Sequence, residues 1–189
     1  CFTGDVTALR HPVDLGPLKQ QAHRSTQELI RAAIEQECKR GALAEAPIYG
    51  IRLLAHWDEL VITVASKLCM GQQQRNQAFS RDSDEGSQTE TSIYDRLQHY
   101  RLAPLPPDQP GDPIRYLGRS MQWDCCGFFD CEPERGRVTV PKASDHLHLH
   151  GCSTDLAYGG HVLHDHPNTH LGSIEQLALS PLQTIKPLC

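Results

Sequence analysis

Five consecutive residues, His146-Leu147-His148-Leu149-His150, alternate without a break between imidazole and leucine side chains. Strict period-two alternation is the signature of a β-strand with two unlike faces, because successive side chains of a strand point to opposite sides. The leucines then belong to a core and the histidines to the other face. A chain holding this segment has to build a sheet around it.

The histidine face sets the chemistry. Residues two apart on a strand share a face at about 6–7 Å between Cα atoms, so His146, His148 and His150 form a row. Two imidazoles so spaced can converge on one divalent metal ion, zinc first of all, with zinc–nitrogen bonds of about 2.0–2.1 Å. Residues 155–160 (Asp-Leu-Ala-Tyr-Gly-Gly) read as a hairpin turn that returns His161 to the side of that strand. Gly159 and Gly160 permit a tight bend and a close backbone approach. Three histidines with one coordination position open are the usual layout of a catalytic zinc rather than a structural one. Seven of the eleven histidines fall between 146 and 170, and the alternative for such a cluster is a solvated polar face. His164, His166 and His170, near Pro167 and Asn168, read in that way, as polar loop residues.

Elsewhere the pattern gives one helix and several strands. Leu18, Ala22, Leu29, Ile30, Ala33, Ile34 and Ala42 recur at roughly helical spacing, so residues 17–41 are expected to form one long amphipathic helix, with Pro17 in its first turn and Gly41 just past its end. Residues 47–54 and 59–66 are β-rich, and His56, Trp57 and Asp58 between them are expected to turn a hairpin. Residues 71–91 carry almost no large apolar side chains and read as an exposed loop. Residues 92–101 suggest a short helix and 104–113 a proline-rich connector. Beyond Ile114 strands are expected at 121–130, 137–141, 146–152, from His161 onward, and at 172–179. The fold class that follows is α+β: a mostly antiparallel or mixed sheet with one long packed helix, in a single domain over residues 1–189.

Composition narrows the function classes. A length of 189 residues suits one well-buried core. No apolar run approaches the roughly 18–20 residues needed to cross a bilayer, so no membrane partner is expected. The net charge of -5 and the lack of a Lys/Arg run argue against a nucleic-acid partner. The eight cysteines include no CxxC pair, and they read as buried small residues or free thiols ahead of a disulfide framework. Cytoplasmic placement is favoured over secretion. The first residue is Cys1, which points to processing or trimming of a longer precursor.

The histidine spacing resembles a known family. His148-Leu149-His150, ten intervening residues, and then His161 within Gly159-Gly160-His161-Val162-Leu163 are similar to the zinc site of acetolactate decarboxylases, in which an HxH strand and a GGHV strand supply three zinc-binding histidines. Asp155 falls where that family has an Asp or a neighbouring polar residue. Cys126-Gly127-Phe128-Phe129, followed by Pro133 and Val138, resembles the approach to the HxH strand, and Ile48-Tyr49-Gly50-Ile51-Arg52 resembles an FYAIR-like strand. The match covers about residues 126–163. An LDGE-like motif that gives the family an active-site glutamate is absent here, and its KTR-like arginine falls somewhere within Val61 to Lys67.

The resemblance implies a lyase that decarboxylates a 2-hydroxy-3-oxo acid, such as 2-acetolactate to acetoin. Loss of carbon dioxide leaves an electron pair beside a carbonyl, and a metal chelated by the hydroxyl and keto oxygens stabilises it. His148, His150 and His161 are the implied metal ligands. Arg52 or Lys67 would orient the carboxylate, and Glu175 would return the proton. On the residues alone, Arg52 reads as a surface cation and Glu175 as a solvent-facing strand residue. A homo-oligomer, dimer or trimer, is expected. A second family, the plant-and-prokaryote conserved domain, has a similar HxH…GGH pattern and implies a non-catalytic oligomeric interaction module with a structural or vestigial metal site.

Overall fold

In a computed structural model of the chain, residues 2–3, 7, 12–15, 25–63, 102–105, 115–138, 145–156 and 158–184 are described. Lys67, the loop expected at 71–91 and the helix expected at 92–101 lie outside them. Among the described residues there are seven strands and one α-helix: β1 (Phe2–Thr3), α1 (Thr26–Lys39), β2 (Ile48–Thr63), β3 (Leu102–Leu105), β4 (Arg115–Asp130), β5 (Leu147–Ser153), β6 (Gly159–Val162) and β7 (His170–Thr184). Every strand pairing among the described residues is antiparallel, in keeping with the expected mostly antiparallel sheet and single packed helix.

The framework is a long ribbon of β2 and β4 in constant register from Ile48↔Asp130 to Thr63↔Arg115. The other edge of β4 takes β5 beside Trp123–Phe129 and β3 beside Arg115–Gly118. The other edge of β2 takes β7 along Ile48–Glu59 and β6 at Ile62 and Thr63. Because β6 also pairs with β5, the strands β2, β4, β5 and β6 close into a ring. Its interior holds Leu53, Ala55, Trp57, Met121, Trp123, Leu147 and Leu149, all fully buried. Burying an aliphatic or aromatic side chain contributes about 1.5–3 kcal/mol, so Leu147 and Leu149 give β5 a strong reason to keep its parity and its histidines outward.

The expected hairpin at His56–Asp58 does not form, and β2 runs straight through those residues. The break in the sequence pattern marks a change of parity instead. Core-facing residues of β2 are Tyr49, Ile51, Leu53, Ala55 and Trp57, and then Leu60 and Ile62. In β4 they are Phe129, Cys125, Trp123 and Met121, with Tyr116 packed against the core after the same break. Asp58 and Ser120 sit opposite each other at the switch, and Ser120 has φ 50°. A one-residue change of face on both strands at once keeps their register while turning the ribbon.

The helix is shorter than its apolar periodicity suggests. Ser25 caps it: the Ser25 hydroxyl accepts from the Glu28 amide while the Glu28 carboxylate accepts from the Ser25 amide. This capping box satisfies two of the amides that a helix start leaves without partners. Ile30, Ala33 and Ile34 bury one side of α1 in the same core cluster as Tyr49, Ile51 and Leu179. At the other end Gly41 takes φ 70° just past the helix, as expected. The strand expected at 137–141 is not seen in its described part, Arg137 and Val138. Arg137 instead makes a buried ion pair with Asp130, Nη2 to Oδ1 2.6 Å, and also reaches the Pro47 carbonyl and Glu132.

Candidate metal centre

Strand parity delivers the histidine face. Leu147 and Leu149 point inward and are fully buried, while His148 and His150 point outward and are half-buried. Antiparallel pairing of β5 and β6 then sets His161 directly opposite His150. The three rings form a nearly equilateral triangle: centroids are 4.9 Å apart for His148 and His150, 4.7 Å for His148 and His161, and 5.1 Å for His150 and His161. The Nε2 atoms of His148 and His150 are 2.8 Å apart.

The turn between these strands works differently from the expectation. Leu156, not a glycine, takes the left-handed conformation at φ 58°. The Ser153 hydroxyl donates to Asp155 and accepts from the Tyr158 amide, which closes the turn. Gly160 is needed for a close approach rather than a bend: a Cβ there would stand 3.0 Å from the Thr63 carbonyl oxygen of β2. Gly127 has a similar role under β5, where a Cβ would press on the His148 carbonyl, 2.9 Å from its carbon.

The electrostatics favour neutral imidazoles. Burial lowers the pKa of His161 to about 4, and the neighbouring His148, His150 and His164 push it the same way. His150 is also lowered, by burial first and then by His148. Neutral imidazole is the form that binds a metal. The donor set therefore fits a divalent ion of the zinc kind. The present positions are not yet those of a coordinated site: among the described residues no group of three or more His, Cys, Asp or Glu side chains is arranged to hold an ion. Two nitrogens bound tetrahedrally at about 2.0–2.1 Å stand roughly 3.3 Å apart, so the His148–His150 pair, at 2.8 Å, has to open by about half an ångström.

Other sequence candidates fall in and out of reach. Arg52 shares the outward face, on the cross-strand row Arg52–Cys126–His150–His161. It lies two strand spacings from His150, about 10 Å, and is held by Asp124 through Nε at 3.2 Å and Nη2 at 2.8 Å. Glu175 is not brought to the histidines. It is the extra residue where β7 slips register against β2, and its carboxylate accepts from Gln122 Nε2 at 2.6 Å. Gln122 lies four residues along β4 from Cys126, about 13 Å. Lys67 lies outside the described residues.

His146, expected on the face of His148 and His150, precedes β5 and is occupied elsewhere. Its ring stacks on Phe129 and its Nδ1 is 2.7 Å from the Asp130 carbonyl. His164, expected in a polar loop, is buried, with Nε2 2.9 Å from the Leu147 carbonyl at the start of β5. It ties the segment after β6 to the histidine strand. His170 is exposed and lies 3.3 Å from Glu59.

Cys126 and Asp124 complete the outward face, and strand parity is the signal that finds them: each stands opposite a β5 residue of known facing, His150 and Cys152. Cys125 points the other way, into the core, where burial pushes its thiol up to about 12. The described cysteines, Cys38, Cys125, Cys126, Cys131 and Cys152, are free thiols. No helix among the described residues is long and apolar enough to cross a membrane. No family model matches the chain, and no curated protein or solved structure matches it significantly.

Proposed function

We propose that this protein is a metal-dependent lyase of the acetolactate-decarboxylase type, acting on a 2-hydroxy-3-oxo acid at His148, His150 and His161. The observation that carries the reading is the outward triangle of three imidazoles, all within 5.1 Å of one another, on two paired strands. A divalent ion held there would supply Lewis-acid polarisation of adjacent hydroxyl and keto oxygens.

The chain's own residues do the rest. The depressed pKa values of His150 and His161 keep both rings available as neutral donors at pH 7. Arg52, held by its two bonds to Asp124, would offer a planar cation on the row that leads to His150, suited to orienting a carboxylate. His148 and His150 are half-buried on the outer side of the ring of strands, the side from which a small acid would approach. Glu175 is bound to Gln122 and is not assigned the proton-donor role.

That same displacement of Glu175 favours a second reading, a non-catalytic oligomeric module of the plant-and-prokaryote conserved type, with the histidines as a structural site. Carbon dioxide release from 2-acetolactate by the zinc-reconstituted protein separates the two. The lyase reading expects release in the wild type and its loss in His150→Ala. Zinc uptake without any release from 2-acetolactate or a homologous 2-hydroxy-3-oxo acid refutes the lyase and leaves the module.

A further inference from the structure

Beside the histidines the outer face divides into two lanes that run across β4 toward β2. One is polar: His150, Cys126 and then Arg52 with its Asp124 partner. The other, two residues along and so about 6–7 Å away, is His148, Phe128 and then Gly50. Phe128 stands directly opposite His148, and the neighbouring backbone bond from the Asp130 amide to the His146 carbonyl makes this a hydrogen-bonded pair type, with Cα atoms about 5.5 Å apart.

Phe128 is 37% exposed, while Phe129 beside it is turned into the core at 2%. Among the described residues the only other exposed large hydrophobic is Leu156, at the tip of the β5–β6 turn. Gly50 adds no side chain beyond Phe128, and a Cβ at that position would stand 3.6 Å from Leu182 Cδ1. Gly50 and Leu182 are themselves buried, so the apolar surface open beside His148 is the Phe128 ring. A methyl group on a ligand held at the histidines would use little of it.

We infer that the ligand of this site carries an apolar substituent larger than methyl, branched-chain or aromatic, and that Phe128 is the residue that selects it. The inference rests on the metal-site reading above and names its substrate class: an oxo acid whose oxygens face the histidines, whose carboxylate follows the Arg52 lane and whose side chain lies on Phe128. An exposed aromatic ring next to a polar cluster gains most when an apolar group covers it, because that contact removes both surfaces from water.

Two bidentate zinc-chelating probes test this without requiring turnover: acetohydroxamate, with a methyl group, and phenylacetohydroxamate, with a benzyl group. Zinc uptake is measured first, and affinity for each probe is then measured by calorimetry on zinc-loaded wild type, Phe128→Ala and Phe128→Leu. The wild type is expected to prefer the benzyl probe by roughly tenfold. That ratio should fall to near one in Phe128→Ala and stay intermediate in Phe128→Leu, which keeps an apolar side chain on the strand. Equal affinities in the wild type, an unchanged ratio in Phe128→Ala, or a zinc-loaded protein that binds neither probe overturns the inference while zinc uptake still stands. Failure to take up zinc removes the metal-site reading and the inference with it.

Discussion

His148 Nε2 and His150 Nε2 lie 2.8 Å apart on one face of β5, close enough for one ring to donate a hydrogen bond to the other. The contact exists because Leu147 and Leu149 are locked into the core between and beside them, and because His161 closes the third side from β6. The histidine geometry therefore depends on how tightly β5 is seated on β4 and β2, and the stability predictions follow from that seating.

Gly127 sits under β5 at the narrow pair Gly127↔Leu149. A methyl group there meets the His148 carbonyl and stands 3.0 Å from Leu149 Cα, and both obstacles are backbone. Gly127→Ala is expected to lower stability by about 2–3 kcal/mol, as overpacking does, and to weaken metal uptake by shifting His148. Gly136→Ala is the comparison: Gly136 has φ 61° with nothing within 4 Å of its Cβ, so it should cost only about 1 kcal/mol of backbone strain and leave metal uptake alone. Urea unfolding of both variants, with zinc titrations, checks the contrast.

How far the sequence determines this arrangement depends on the range of the forces involved. The parity of residues 146–150 is local, and it placed the leucines inside and His148 and His150 outside. The return of His161 also followed from a short turn. The split of 47–66 into two strands failed because periodicity shows a break in facing but not its cause, and a paired bulge at Asp58 and Ser120 leaves the same trace as a turn. The helix start is encoded locally by Ser25-x-x-Glu28, a signal that the apolar spacing running from Leu18 onward overrides in the expected span of 17–41. Glu175 could not be placed from sequence, because its position depends on a register slip between β7 and β2 and on Gln122, 53 residues away. His164 is a similar case, since only tertiary packing reveals the Leu147 carbonyl as its partner.

Acid should destabilise the protein when metal is chelated away. The folded-state pKa values of His161 and His164 are depressed below the unfolded value of 6.5, chiefly by burial. As pH falls through 6.5 the unfolded chain takes up protons that the folded chain refuses, so stability present above that pH is lost on acidification. For His161 the loss continues down to about pH 4. Each such group adds a slope of at most about 1.4 kcal/mol per pH unit. Urea unfolding between pH 7.5 and about 4.5 should show falling stability in the wild type, with a shallower fall in His161→Gln. A flat profile contradicts the burial of these rings.

The Asp130–Arg137 pair should matter more than the exposed ones. Asp130 is 1% exposed and accepts from both Arg137 and the Glu132 amide. Arg137→Ala leaves that carboxylate buried without its cation, at an expected cost of about 3 kcal/mol. Arg119→Ala breaks a surface pair with Glu59 and should cost less than about 1 kcal/mol. Thermal unfolding of the two variants gives the comparison directly, and equal losses would contradict the account of Arg137 as a buried anchor.

The claim on which the rest depends is that His148, His150 and His161 together bind one divalent ion. Zinc content after reconstitution and dialysis, measured on the wild type, His150→Ala, His161→Ala and the distant control His170→Ala, tests it most directly. The account predicts about one zinc per chain in the wild type and in His170→Ala, and at least a tenfold weaker hold in the other two. No zinc in the wild type, or full retention in both His150→Ala and His161→Ala, would contradict it.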